Sequence, residues 1–244
     1  MKVTNSYQNS IPITTNRDLS NPADQIILLC HGFAGSITSE PISALYDLLA
    51  ENHHVVMFPF IGKDSGYPSY TQCINDLIDV LLFLQSSGCS NIVLVGHSMG
   101  AGVALLVSTS PRTPQIISKL VLVSMPTDTK KFPEEHHMAM MQKGAMQFPV
   151  RIKNTIFYIS REFLEDLQNH DLGKALQKLA IPTLVIQGNK DSVMTVANAR
   201  WIYKTLELKR MKKLVIISGG GHLYKGKKIK KALALAIESF LINY

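Results

Sequence analysis

Ile92-Val93-Leu94-Val95-Gly96-His97-Ser98-Met99-Gly100-Ala101-Gly102 sets one serine between two glycines, with an apolar run before it and small residues after it. The four apolar residues read as a buried strand, and the small residues open a helix. A strand that passes straight into a helix must turn very sharply. A side chain at either flanking glycine would collide with backbone in such a turn. The turn lifts the Ser98 hydroxyl out at the top of a sheet and aims a helix N-terminus at whatever binds there. Ser98 is therefore the candidate nucleophile.

Outward from this turn, short apolar runs alternate with helical patterns. Residues 26–30, 55–58, 92–95, 120–123, 183–187 and 214–217 read as buried strands. Residues 42–50, 70–85, 99–107, 196–206 and 227–241 read as helices; Ile74, Leu77, Ile78, Leu81 and Leu82 repeat at the 3.6-residue period within the second. Strands that are apolar throughout, each separated by a helix, imply a mostly parallel sheet covered on both faces, an α/β class. Residues 126–180 break the rhythm. They carry Met138, Met140, Met141 and Met146, then Phe157, Tyr158, Ile159, Phe163, Leu164 and Leu167. This stretch reads as an inserted helical cap, with a short hairpin around residues 150–157, lying over the carboxyl edge of the sheet where ligands of open α/β sheets bind. Methionines suit an adaptable apolar wall. The expected division is a core of residues 1–125 and 181–244 and a cap of residues 126–180.

Composition narrows the setting. Apolar residues make up 46% of 244, enough for a large core. No apolar run approaches the roughly 18 residues of a membrane span, so stable membrane insertion is not expected. The first residues lack an apolar signal segment, and Cys30, Cys73 and Cys89 form no C-x-x-C pair. Both observations point to reduced thiols and a cytoplasmic protein. The net charge of +7 comes from 25 basic and 18 acidic residues. The excess clusters at Lys209, Arg210, Lys212 and Lys213, and again at Lys225, Lys227, Lys228, Lys230 and Lys231. No aromatic platform is interleaved with these cations, which argues against a nucleic-acid partner. Ile229, Leu233, Ala236, Ile237 and Phe240 recur at helical spacing, so the second group covers the wet face of a C-terminal helix.

A serine nucleophile needs a base, and the base needs an orienting acid. Asp191, in Gly188-Asn189-Lys190-Asp191-Ser192, follows the strand at 183–187. His222, in Gly219-Gly220-Gly221-His222, follows the strand at 214–217. Both turns fall at the carboxyl edge that carries Ser98, and the glycines let the histidine loop bend back toward the serine. Asp128, Asp166, Asp171, His136, His137 and His170 lie in the insertion, and His53-His54 precedes a strand at the opposite edge. The paired histidines lack an H-E-x-x-H pattern or a carboxylate cluster, so no metal site is expected. An oxyanion needs donors. The Met99 backbone N–H opens the helix after Ser98, and the Phe33 N–H lies in His31-Gly32-Phe33-Ala34-Gly35 after the first strong strand. The His31 side chain reads as a structural hydrogen-bonder.

With these motifs in this order the chain resembles the α/β-hydrolase superfamily over nearly its full length. His31-Gly32-Phe33 resembles the oxyanion loop, Gly96-His97-Ser98-Met99-Gly100 the nucleophile elbow, Gly188 to Asp191 the acid turn, and Gly221-His222 the histidine loop. The H-G-F loop, the compact cap and Ile159-Ser160-Arg161-Glu162-Phe163-Leu164 are most similar to small bacterial carboxylesterases and cinnamoyl (feruloyl) esterases. The resemblance implies the α/β-hydrolase fold and a cofactor-free serine hydrolase acting on a small-molecule ester through Ser98, Asp191 and His222. The apolar, aromatic-bearing insertion suggests hydrophobic acyl or aryl esters. A thioesterase, amidase or acyltransferase would use the same triad, and a binding protein could keep the fold without turnover. Relatives often carry D-x-x-G-x-G-x-S after the next strand, where this chain has Pro59-Phe60-Ile61-Gly62-Lys63-Asp64-Ser65-Gly66. The oligomeric state is open, with the Met-rich segment as a candidate homodimer contact.

Overall fold

Runs of Ile, Val and Leu with no polar alternation cannot turn one face to water, so they settle inside a sheet covered on both sides. The computed structural model describes residues 1–19, 25–63, 67–129, 147–152, 155–207 and 211–244. Its first half comprises β1 (Lys2–Thr4), β2 (Ser10–Pro12), β3 (Thr14–Thr15), β4 (Ile26–Cys30), α1 (Ile42–Leu49), β5 (His54–Met57), α2 (Tyr70–Ser86), β6 (Ile92–His97) and α3 (Met99–Ser108). There follow β7 (Ile117–Val123), β8 (Gln147–Ile152), β9 (Thr155–Ser160), α4 (Arg161–Asp166), a 3-10 turn (Leu167–Asn169), α5 (Leu172–Lys178), β10 (Thr183–Gly188), α6 (Val196–Thr205), β11 (Lys212–Ile217) and α7 (Lys227–Asn243).

Seven strands form one sheet in the order β11-β10-β7-β6-β4-β5-β3, parallel except for β3 against β5. The chain steps from β4 to β5 on one side and then crosses to β6 on the other. The crevice where an α/β sheet takes its ligands therefore opens at the carboxyl ends of β4 and β6. Alternate residues of β4 serve the two faces, as the strand pleat requires. Ile26, Leu28 and Cys30 pack with α2, α3, α5 and α6, whereas Ile27 and Leu29 pack with α1 and α7. Helix α3 is enclosed nearly all round, with Ala101, Val103, Ala104, Leu105 and Val107 fully buried.

The hairpin expected around 150–157 is longer, with β8 and β9 paired from Gln147↔Ser160 to Ile152↔Thr155. Buried Ile159, Phe163, Leu164, Leu167, Leu172 and Leu176 then join the same apolar cluster as α2 and α3. The four methionines at 138, 140, 141 and 146 lie outside the described residues, as do His136, His137, Asp64 to Gly66, Lys209 and Arg210. Two lysines of the basic clusters have structural partners. Lys212 donates to the Tyr203 and Leu206 carbonyls at 2.8 and 2.6 Å, filling acceptors left over at the C-terminus of α6. Lys230 pairs with Glu40. Among the described residues no helix is long and apolar enough to cross a membrane.

Candidate active site

Ser98 links β6 to α3 with φ 54° and ψ −122°, a left-handed backbone that a non-glycine residue holds only under constraint. The constraint is local and steric. A Cβ on Gly96 would lie 2.4 Å from the Gly100 carbonyl, and one on Gly100 would lie 2.3 Å from the His31 carbonyl. The Ser98 N–H is tied to the Val123 carbonyl of β7 at 2.9 Å.

The turn after β10 and the turn after β11 meet beside it. A Cβ on Gly188 would lie 2.2 Å from the Gly220 carbonyl, so only glycine lets these backbones touch. The Lys190 N–H donates to Gly220 at 2.8 Å, and the Gly219 N–H donates to the Asn189 side chain at 2.8 Å. Gly219 itself holds φ 76°. This joint brings the expected residues together: His222 Nε2 lies 3.2 Å from Ser98 Oγ, and His222 Nδ1 lies 2.9 Å from Asp191 Oδ2. An ionised carboxylate only accepts, so the imidazole proton sits on Nδ1 and Nε2 offers its lone pair to the serine hydroxyl.

The Asp191 side chain is fully buried. Burial alone would raise its pKa, but the bond from His222 and the amides of Met194 and Val193 outweigh it and hold the carboxyl well below the ordinary range. Val193 and Met194 donate to Oδ1 at 2.8 and 2.9 Å. Gln187 donates its Nε2 to Oδ2 at 3.0 Å, the same oxygen that takes His222. His97 stands on the other side. It is buried, its Nε2–H donates to the His222 carbonyl at 2.9 Å, and the two rings lie 4.9 Å apart. Burial, then the neighbouring His222, pushes its pKa down to about 3, so it stays neutral near pH 7. Sequence reasoning passed over both residues. Gln187 had one signal, a polar residue closing the apolar run Leu184-Val185-Ile186; His97 sits at a variable position of G-x-S-x-G and had none.

The expected oxyanion loop abuts the serine. A Cβ on Gly32 would lie 3.0 Å from Ser98 Cβ and 3.2 Å from His97 Nδ1. His31 serves this loop structurally. Its Nε2 accepts the Phe60 N–H at 3.0 Å, so the proton is on Nδ1, which donates to the Gly32 carbonyl at 2.9 Å. Phe33 follows Gly32, and Met99 is the first residue of α3, whose leading N–H groups have no carbonyl within the helix. Phe33, Tyr67 and Phe163 form an aromatic cluster with centroids 4.5 to 6.1 Å apart.

The competing residues lie elsewhere. Asp166 and His170 bond Thr71 at the start of α2, Asp171 caps α5, His53 faces Glu238, and His54 bonds Thr15. Cys30, Cys73 and Cys89 are free and buried. Among the described residues no three His, Cys, Asp or Glu side chains gather as metal ligands.

Residues 25–150 match the family described as the alpha/beta hydrolase fold. Strigolactone esterase D14 of Arabidopsis thaliana is 23% identical over 233 residues, covering 80% of this chain and 85% of that protein. The monoglyceride lipase homolog of Monkeypox virus is 21% identical over 232 residues, covering 84% and 83%. Among solved structures, Est1E from Butyrivibrio proteoclasticus superposes with a TM-score of 0.77 at 16% identity, over 100% of this chain and 99% of that one. At that identity the likeness speaks for the fold.

Proposed function

Because the chain belongs to the alpha/beta hydrolase fold family, we propose that it is a serine hydrolase cleaving carboxylic esters of hydrophobic acyl or aryl groups. One observation carries the reading: an unbroken chain of hydrogen bonds from a strained serine through a histidine to a buried carboxylate. In this mechanism Ser98 Oγ attacks the acyl carbonyl carbon while His222 Nε2 takes its proton. Asp191 holds the tautomer and stabilises the imidazolium. The Phe33 and Met99 amides receive the oxyanion. Collapse of the tetrahedral adduct breaks the ester C–O bond, and His222 returns the proton to the departing alkoxide. A water deprotonated by His222 then attacks the acyl-enzyme, and the free acid leaves with Ser98 restored. Protein groups and water carry every step.

Three things support the substrate class. The Phe33–Tyr67–Phe163 cluster borders the oxyanion loop with apolar rings. The relatives include an esterase and a monoglyceride lipase homolog by name. Est1E has been solved with ferulic acid bound. Residues 126–180, which contribute Phe163, act in this reading as the cap over the acyl group. The test is a panel of p-nitrophenyl esters of rising chain length together with methyl ferulate. Turnover should vary strongly across the panel, and Ser98→Ala should lower kcat by about 10⁴-fold or more. Equal, negligible turnover of every ester by the wild type would overturn the esterase reading.

A further inference from the structure

The Gly32 carbonyl receives three donors: the Gly35 N–H at 3.1 Å, His31 Nδ1–H at 2.9 Å and the Tyr67 hydroxyl at 3.2 Å. A carbonyl oxygen has two lone pairs, so its direction here is over-determined. That oxygen and the Phe33 N–H belong to one planar trans peptide and point to opposite sides. Whatever fixes the oxygen therefore aims the amide. Donors on the oxygen also polarise the peptide, which strengthens the N–H as a donor in its turn.

We propose that Tyr67 is a positioning residue for the oxyanion hole, its hydroxyl stapling the loop that presents the Phe33 amide. The proposal rests on the serine-hydrolase reading above. Two further observations favour it. Ala34, directly after Phe33, holds φ 51°, a conformation costly for a residue with a Cβ, so the loop needs restraint from outside itself. Tyr67 also donates to the carbonyl of the residue just before Phe33, so its bond acts on the very peptide that carries the Phe33 amide. Burial keeps the phenol protonated by pushing its pKa well above the ordinary value. The ring packs edge-on against Phe33 and against Phe163 of α4, which leaves the hydroxyl little freedom to swing away. The carboxylate that relatives often carry at the start of this segment is Pro59 here. A brace on the oxyanion loop comes instead from the residue just past its far end.

Tyr67→Phe keeps the ring and removes only the donor. With the best ester from the panel, kcat should fall about 10-fold, less than the 10²–10³ seen when an oxyanion donor is lost outright. KM should be unchanged. Affinity for phenylboronic acid, whose tetrahedral adduct on Ser98 mimics the oxyanion, should fall by the same factor as kcat. The melting temperature should stay within a few degrees of wild type. A merely structural role would lower thermal stability and leave the ratio of boronate affinity to kcat unrelated. Unchanged kcat and boronate affinity, or a loss confined to KM, would overturn the proposal while the wild-type activity leaves the hydrolase reading standing. A wild type that turns over no ester and binds no boronate removes both.

Discussion

Asp191 Oδ2 accepts from two partners at once, His222 Nδ1 at 2.9 Å and Gln187 Nε2 at 3.0 Å. The two compete for the same negative charge, so Gln187 tempers the carboxylate as well as fixing its rotation. Removing the amide donor in Gln187→Leu leaves more of that charge to stabilise the imidazolium. The acid limb of the pH dependence of kcat/KM should therefore move up. If Gln187 only places Asp191, the variant loosens the Asp191–His222 bond and the limb moves down; a pH–rate profile decides by its sign. At this scale the legible residues were those whose surroundings are marked. Ser98 stands between Gly96 and Gly100, His222 follows three glycines, and Asp191 lies in the turn that Gly188 opens, because sharp turns and touching backbones tolerate nothing larger. His97 and Tyr67 are single polar residues without spacing or flanking signals, and Gln187 had only its place at the end of an apolar run. Only the packed structure reveals what they touch.

Helix α2 starts with a bond to α4. Asp166 of α4 accepts the Thr71 N–H at 2.8 Å and the Thr71 hydroxyl at 2.5 Å, with His170 Nε2 at 3.3 Å. Burial works against its charge, but the bonds from His170 and Thr71 prevail and bring its pKa down to about 2. A carboxyl with a folded pKa below its unfolded value of about 3.9 stabilises the fold above that value. The contribution is lost as pH falls through about 2. Asp166→Asn should cost on the order of 1 kcal/mol near neutrality, as loss of a helix-start acceptor does. It should also flatten the decline in melting temperature between pH 4 and pH 2. Parallel declines for variant and wild type would show that this bond contributes nothing. Elements were legible where burial is complete. Strands β4, β6, β7 and β10 announce themselves as apolar runs, whereas β1, β2 and β3 span two or three residues each, too few to show a period. Strands β7 and β11 also begin earlier than their apolar runs, because Ser118, Lys119, Lys212 and Lys213 lie at half-buried strand starts.

Over the whole molecule, parallel strands explain why so much of the site could be read before any fold was known. Strands that point one way put every following turn at one edge, so Gly32, Ser98, Asp191 and His222 share an end of the sheet however the strands are ordered. The order itself was not legible. It decides that β4 and β6 are neighbours and that β10 and β11 bring their turns into contact, and it follows from which helices cover which face. The basic surface also changes meaning at this scale, since Lys212 closes a helix end and Lys230 pairs across to Glu40. The central claim is that this arrangement makes Ser98 a nucleophile. A fluorophosphonate probe applied to the native protein, followed by peptide mass spectrometry, tests it most directly. The prediction is one phosphonate on Ser98, absent from Ser98→Ala and formed at least about 10³-fold more slowly in His222→Ala. A native wild type that stays unlabelled, or a Ser98→Ala protein labelled as fast as wild type, would contradict it.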